Sequence, residues 1–237
     1  MKRRPYLRGL AVGGATSVLA GCLGGFGGDS SPNTFLGRPE SQKAKSEDLP
    51  YPAWGQRIPS AVLPDPLSGE TMTTRQYEGA RNVLLTCFYS NCPNVCQQMI
   101  GQMRNVQADA IENDYADDVA FLAVTFDPDR DTADRLRSYA DQVNVALDAG
   151  NWHFLRPESP ERAKEVVTKK LGIAFQKSTT MNGKPAPDGQ YFFVHLGLVF
   201  LVNGDGFVER AYQFAQTGNP PWQDRRDDLK AVIDRTG

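Results

Sequence analysis

The chain has 237 residues, of which 40% are hydrophobic and 10% aromatic, enough for one globular domain with extensions. Its 26 basic and 28 acidic residues give a formal net charge of −2. Because the main part of the chain has no cluster of lysine and arginine, it lacks the basic surface that nucleic acid requires, and we expect no nucleic-acid partner.

The N-terminus has the pattern of an export signal peptide. Residues 2–8 are rich in arginine, and the apolar stretch Gly9–Ala20 is well short of the roughly 20 residues that span a bilayer. The pair Arg3-Arg4 resembles a twin-arginine signal. Residues 19–22 resemble a lipobox, in which cleavage before Cys22 leaves that cysteine carrying lipid. An ordinary signal peptide with an incidental cysteine is the alternative.

We therefore expect three parts: a signal in residues 1–21, a flexible lipid-anchored tether in 22–54, and the folded domain in 55–237. The tether begins with glycine and serine and continues with proline and polar residues. Removal of the signal, which has four basic and no acidic groups, brings the net charge to −6. The expected location is the extracytoplasmic face of the cell membrane, with lipid on Cys22 holding the protein to the membrane surface.

The domain is predicted to open with a short hairpin, Ala61–Leu63 and Thr71–Thr73, joined by a turn with proline and glycine. The apolar run Asn82–Tyr89 predicts a buried strand, and Pro93–Asn113 predicts a helix. The apolar face of that helix is formed by Val95, Met99, Met103 and Val106.

Two cysteines stand where this strand meets this helix, in the segment Cys92-Pro93-Asn94-Val95-Cys96. Pro93 has the φ of a first helical position, which predicts Cys92 as the N-cap and Cys96 in the first turn. Residues i and i+4 lie about 5–6 Å apart on a helix, so the sulfurs can share a metal ion or approach a disulfide. The helix dipole favours thiolate at this end. Two inert core cysteines are the alternative.

The number of cysteines supports a functional pair. If Cys22 carries lipid, three remain, and an odd number in an oxidising compartment argues against a framework of structural disulfides. Cys87 lies inside the predicted strand and is expected to be a buried thiol, which leaves Cys92 and Cys96 as the pair.

The rest of the domain alternates strands and helices. In chain order they are the strand Val119–Phe126, the helix Thr132–Val143, the strand Trp152–Leu155, the helix Glu158–Leu171, the strands Tyr191–Val202 and Phe207–Ala211, and the helix Arg225–Arg235. Ser178–Gly189 is predicted as a loop, and residues 203–206 as a hairpin turn. This order predicts an α/β, thioredoxin-like fold: a mixed central sheet flanked by helices, with an N-terminal hairpin extension.

Three motifs follow one another through the domain. They are Cys92-Pro93-Asn94-Val95-Cys96, then Asp127-Pro128-Asp129-Arg130-Asp131-Thr132, then His195 eleven residues before the glycine of Asp205-Gly206. In this order and spacing they resemble the SCO/SenC family of copper-binding, thioredoxin-like proteins that help to assemble cytochrome c oxidase. The resemblance covers about residues 55–235. The chain departs from the family pattern at four positions that are not metal ligands: Asn91, Gln97, Leu196 and Gly197.

The resemblance implies that Cys92, Cys96 and His195 bind copper as Cu(I), Cu(II) or both. Soft thiolates with imidazole suit copper, whereas structural zinc, the competitor, usually takes four protein ligands. Without the motif, His195 in its apolar stretch is more simply a hydrogen-bonded core histidine. His153 is expected to be structural or on the surface. Asp127 and Asp131 either orient groups near the site or serve a turn and a helix cap.

The resemblance implies a metallochaperone that delivers copper to the dinuclear copper centre of cytochrome c oxidase subunit II, or to a similar copper-acquiring protein. The enzymatic alternative is a thiol–disulfide oxidoreductase that reduces the cysteines of the oxidase copper site, with Cys92 attacking and Cys96 resolving. Thioredoxin-like oxidoreductases keep a cis-proline facing the cysteines, and Pro185 and Pro187 lie too far before His195 for that role. A peroxidase-like protein or a metal-free interaction module explains the paired motif less well.

Overall fold

The computed structural model describes residues 31–181, 184–186, 190–215, 219 and 221–236. The predicted signal peptide, the lipid-carrying Cys22 and the start of the tether lie outside the described residues. Within the described part, no helix combines the length and the apolar composition that crossing a bilayer requires.

The described strands and helices follow one another in the predicted order, with additions after the third helix. They are β1 (Val62–Pro64), β2 (Thr71–Thr73), β3 (Asn82–Phe88), α1 (Val95–Glu112), β4 (Val119–Thr125), α2 (Ala133–Gln142), β5 (Trp152–Leu155), α3 (Pro160–Ala163), β6 (Phe175–Ser178), β7 (Thr180–Met181), β8 (Lys184–Pro185), β9 (Phe192–His195), β10 (Gly197–Val202), β11 (Val208–Phe214) and α4 (Trp222–Thr236). A π-helical stretch, Lys164–Lys170, continues α3.

The central sheet is mixed and has the strand order β11-β10-β3-β4-β5. β3 and β4 are parallel, as are β4 and β5, whereas β10 runs antiparallel to both β3 and β11. Every residue of β3 and β4 is buried, because both faces of the sheet are covered, and this explains their continuous apolar sequences. Together with the separate hairpin β1–β2, this is the predicted thioredoxin-like α/β arrangement.

Capping side chains and one glycine mark the helix ends. The Thr132 side chain accepts the N–H of Arg135 as the N-cap of α2, and the Ser159 side chain accepts the N–H of Arg162 before Pro160. Beyond the π-helical stretch, Gly172 has a φ of 68°, and a Cβ there would lie 1.7 Å from the carbonyl oxygen of Pro50. Glycine is therefore required at this position by both backbone conformation and space.

The prediction of one strand over Tyr191–Val202 is wrong. The structure divides it into β9, which pairs with β6, and β10, which belongs to the central sheet. The chain changes sheets at Gly197, where a Cβ would lie 2.8 Å from Val95 Cγ2 in the first turn of α1. A continuous apolar run does not show where a strand exchanges one neighbour for another, so the break has no sequence signal.

The loop predicted over Ser178–Gly189 is also only partly correct. Its first part forms the short hairpin β7–β8, while residues 182–183 and 187–189 lie outside the described part of the chain. Just before it, β6 was not predicted, because its sequence Phe175–Ser178 has mostly polar, half-buried or exposed side chains and lacks a clear apolar alternation.

Residues 31–54, predicted as part of a flexible tether, pack against the domain. The N–H groups of Phe35 and Leu36 donate to Glu209 at 2.8 and 2.9 Å. The indole Nε1 of Trp54 donates to the carbonyl of Leu36 at 2.9 Å. Proline and polar residues suggested a linker, but its few apolar side chains are partly or fully buried against the domain.

Candidate metal centre

Three potential ligand atoms converge at one end of the central sheet. The sulfurs of Cys92 and Cys96 and a ring nitrogen of His195 all lie within 4.8 Å of one another. His195 Nε2 is 3.3 Å from Cys96 Sγ and 3.9 Å from Cys92 Sγ. Both cysteines are free thiols and buried, while His195 is half-buried. The structure therefore brings together the three residues that the sequence motifs single out.

The two cysteines reach the site from a turn and from the first turn of a helix. Cys92 lies in the turn after β3, and its N–H donates to the carbonyl of Tyr89 at 3.2 Å. The prediction that Cys92 is the N-cap is wrong, because α1 begins at Val95 and Asn94 is its N-cap. The Cys92 sulfur nevertheless accepts the N–H of Cys96 at 3.4 Å, which satisfies one of the free donors of the first turn.

His195 ends β9 with its Nε2 directed at the sulfurs. Its Nδ1 lies 3.2 Å from the carbonyl oxygen of Leu196. Because a carbonyl only accepts, Nδ1 must carry the ring proton, and the lone pair of Nε2 then faces the two cysteines. The rings of Phe126 and Tyr89 pack against the imidazole at centroid distances of 5.0 and 6.0 Å. The imidazole is thus held in the tautomer and orientation of a metal ligand.

The pKa values of the two cysteines are shifted in opposite directions. The hydrogen bond from Cys96, together with those from backbone N–H groups, outweighs burial and holds the pKa of Cys92 well below its usual range. Burial raises the pKa of Cys96, and the negative Cys92 sulfur beside it acts in the same direction. Burial alone raises the pKa of Cys87, away from the site. Of the two cysteines, Cys92 is therefore the one that favours thiolate, the form that binds metal or attacks a disulfide.

Asp131 anchors the turn that leads to Cys92. Its carboxylate is fully buried and accepts the N–H of Ser90 at 3.1 Å, the hydroxyl of Ser90 at 2.5 Å and the hydroxyl of Thr125. Arg135 adds hydrogen bonds to the Ser90 hydroxyl and carbonyl at 2.8 and 3.1 Å. Of the two roles predicted for Asp131, the structure shows the one that orients groups near the site.

Asp127 anchors the strand that carries His195. It accepts the guanidinium of Arg130 at 2.5 Å and the hydroxyl of Tyr191 at 2.8 Å. Arg130 also donates to the carbonyl of Tyr191 at 2.8 Å, and its guanidinium lies 3.6 Å from the centre of the tyrosine ring. The second motif thus holds both ligand-carrying segments, the cysteine turn through Asp131 and β9 through Asp127.

Ser90, Arg135 and Tyr191 are the residues of this arrangement that the sequence reasoning missed. Their contacts join residues 41 to 64 positions apart, for which no local periodicity exists. The only available signal was that Ser90 lies two residues before the first cysteine and Arg135 three after the second motif.

The other imidazole belongs to a structural network, as expected. His153 Nδ1 lies 3.0 Å from the Asp65 carboxylate, and its Nε2 lies 2.7 Å from the hydroxyl of Tyr77. These contacts join the hairpin region to the edge strand β5, far from the three ligands in the sheet. Met99 and Met103 are fully buried in the core.

Comparison with known proteins agrees with this geometry. The sequence model of the SCO1/SenC family matches residues 67–227. The chain belongs to the SCO1/SenC family. It is similar to the mitochondrial SCO2 homolog of Danio rerio, with 24% identity over 166 residues, and the match spans 70% of this chain but only 55% of that protein. The family membership predicted from the three motifs is confirmed.

Solved structures share the fold. Bradyrhizobium japonicum ScoI with copper bound is 23% identical, with a TM-score of 0.57 over 74% of this chain and 99% of that one. BsSco, described as a member of the Sco family of cytochrome c oxidase assembly proteins and as having a disulfide switch, is 21% identical, with a TM-score of 0.56 over 79% of this chain and 98% of that one.

The donor set of this SCO1/SenC chain fits a copper ion. Two sulfurs and one imidazole nitrogen are the soft ligands that copper prefers, and the free thiols and the Nδ1 proton leave all three donor atoms available. Among the described residues, no fourth His, Cys, Asp or Glu joins the group. Structural zinc usually takes four protein ligands, so the set favours copper over zinc.

Proposed function

We propose that this chain binds copper through Cys92, Cys96 and His195 and passes it to the dinuclear copper centre of cytochrome c oxidase subunit II or a similar copper-acquiring protein. The observation that carries the proposal is the convergence of two sulfurs and the free Nε2 lone pair within 4.8 Å. The copper bound to ScoI of Bradyrhizobium japonicum and the oxidase-assembly role of the family of BsSco support it. Three protein ligands leave room for an incoming ligand, as transfer by ligand exchange requires.

The exposure of the site supports transfer through its histidine side. Cys92 and Cys96 are buried at 4% and 0% exposure, so a partner meets His195 first. Val194, directly before it, is 69% exposed, the highest value among the exposed large apolar side chains that the structure describes. The accessible side of the site is therefore that of His195 and its strand.

Anaerobic titration of the reduced protein with Cu(I), and then with Cu(II), tests the assignment. We expect one copper per chain, with thiolate-to-copper charge transfer in the absorbance of the Cu(II) form. Cys96→Ser and His195→Ala each remove a ligand, and should weaken binding by more than the roughly 10–100-fold that loss of an outer-shell partner costs. Cys87→Ala, which removes a buried thiol away from the site, is the matched control and should bind like the parent. Equal affinity in all three variants would show that the site is wrong.

A second function, reduction of the partner's cysteines, is favoured by the adjacent free cysteines, of which Cys92 has the lowered pKa. Cys92 would attack a partner disulfide and Cys96 would close an internal disulfide, so that two electrons pass to the partner. Copper and the disulfide compete for the same sulfurs, and the roles can coexist. Absence of copper binding together with rapid reduction of a model disulfide would establish reduction as the function of the pair.

We also propose that the mature chain is held at the extracytoplasmic face of the cell membrane by lipid on Cys22. Only residues 23–30 then separate the lipid from the segment that packs on the domain, an extended span of at most about 28 Å. Ser31 lies beside Gly55, whose N–H donates to Val208 at the end of the central sheet opposite His195. The attachment of the segment at the end of the sheet opposite His195 supports a metal centre that faces away from the lipid surface, toward a membrane-bound partner.

The anchoring proposal has its own test. Cys22→Ser should release the protein from the membrane fraction, while the purified variant keeps the copper affinity of the parent. Full membrane retention of this variant would show that another segment or a partner holds the chain there.

A further inference from the structure

We propose that the hydroxyl of Tyr89 is a positioning group that ties the cysteine turn to the histidine strand and so sets where His195 stands relative to the two sulfurs. The inference rests on the proposed copper site and assigns a role to a residue outside its ligand set. Tyr89 follows β3 and precedes the turn that leads to Cys92. Its side chain is 1% exposed.

The tyrosine touches both ligand-carrying segments. The N–H of Phe193, two residues before His195, donates to the Tyr89 hydroxyl oxygen at 3.2 Å, across 104 positions of sequence. The Tyr89 ring meets the His195 and Phe193 rings edge to face, at centroid distances of 6.0 and 5.2 Å. In the described part of the chain β9 pairs with β6 and not with the central sheet, so this hydrogen bond is a direct polar link between the histidine strand and the residue that precedes the cysteine turn.

The tyrosine ring is packed in the same aromatic cluster as the imidazole. It meets Phe126 at a centroid distance of 5.4 Å, and Phe126 in turn lies 5.0 Å from the His195 ring. The hydroxyl thus accepts from the backbone of β9 while its ring is held beside His195, and together these contacts fix the strand position of His195.

Another tyrosine provides a matched control. Tyr139 is equally buried, at 1% exposure, and its ring stacks on Phe88 at 5.6 Å. Among the residues that the structure describes, its hydroxyl has no hydrogen-bond partner. Removing the hydroxyl of Tyr139 therefore perturbs a buried ring of the same core without changing any hydrogen bond to the site.

The test compares Tyr89→Phe with Tyr139→Phe in the full chain, after circular dichroism has verified that both fold. Without copper, the amide of Phe193 should exchange with solvent about ten-fold faster in Tyr89→Phe, since it has lost its acceptor. With copper, Cu(I) transfer to a competing chelator should be about ten-fold faster. The thiolate-to-Cu(II) charge-transfer band should shift, because His195 then stands differently relative to the two sulfurs. Tyr139→Phe should match the parent in all three measurements.

Two results would overturn the inference. One is parent-like exchange at Phe193 and a parent-like charge-transfer band in Tyr89→Phe. The other is an equal change in Tyr139→Phe, which would show that the core was loosened rather than the site repositioned. If the parent binds no copper, the proposed function fails, but exchange at Phe193 in the copper-free protein still decides whether Tyr89 ties the two segments.

Discussion

One buried carboxylate accepts two backbone hydrogen bonds from the N-terminal segment, and its removal gives the sharpest stability prediction. Glu209 is 0% exposed. It accepts the N–H groups of Phe35 and Leu36 at 2.8 and 2.9 Å and the side-chain amide of Asn203 at 2.6 Å. In Glu209→Ala, these donors lose their acceptor, and two of them belong to the N-terminal segment. We expect the segment, rather than the central sheet, to open first.

The magnitude follows from these two backbone contacts. A hydrogen bond to a charged group contributes about 1.5–3 kcal/mol, so the loss of both lowers the free energy of detaching the segment by about 3–6 kcal/mol. Even the lower figure raises the detached fraction by a factor of more than about 100, since 1.4 kcal/mol is a factor of about ten.

Limited trypsin digestion measures the detached fraction. Lys43 and Lys45 are exposed, but cleavage beside them requires the backbone to leave the domain, and its rate follows the open population when reclosing is fast. Cleavage at these lysines should be about 100-fold faster in Glu209→Ala. Glu40→Ala, which removes an exposed carboxylate from the same segment, is the control and should be cut like the parent. A rate within about threefold of the parent for Glu209→Ala would refute the reasoning.

Three further predictions concern stability. Asp131→Ala leaves three buried donors without an acceptor and should lower the free energy of unfolding by about 3–5 kcal/mol in denaturant titrations. A loss below about 1 kcal/mol would mean that the turn before Cys92 does not depend on the Asp131 carboxylate. Burial by itself would raise the pKa of Asp65, but hydrogen bonds, above all that from His153, outweigh it and lower the pKa. The stability that ionised Asp65 contributes is therefore present above pH about 4 and is lost as the pH falls through the lowered pKa. Unfolding of Asp65→Asn should therefore depend less on pH between about 5 and 2, and a slope equal to the parent's would contradict this. Gly172→Ala places a Cβ 1.7 Å from the Pro50 carbonyl at a φ of 68°, and should cost more than about 2 kcal/mol, seen as a lower Tm; an unchanged Tm would contradict the close approach.

Features with a short-range signal could be predicted from the sequence. The buried strands β3 and β4 follow from continuous apolar runs, because a strand covered on both faces needs no polar alternation. The caps Thr132 and Ser159 follow from the residue types that accept a first-turn N–H. β6 could not be predicted, because its pairing with β9 gives polar side chains no periodic pattern.

The ligand set of the candidate site was also determined by the sequence, through three motifs whose order and spacing single out Cys92, Cys96 and His195. The position of Cys92 was not. Its proline neighbour predicted a helical N-cap, whereas Cys92 lies in the turn that follows Ser90, which the buried Asp131 binds, and α1 begins only at Val95. The conformation of this turn involves a hydrogen bond between residues 41 positions apart in the sequence, which local residue types do not indicate.

Only the tertiary structure decided how the three ligands meet and where the N-terminal segment lies. One apolar run became two strands in different sheets, since the close approach of α1 at Gly197 separates β9 from β10 and leaves His195 beside the sulfurs. A segment with the composition of a tether became part of the domain through the buried Glu209. Local composition and periodicity report which surface a residue prefers to bury, whereas these outcomes depend on which distant group is there to accept a hydrogen bond or to exclude a side chain.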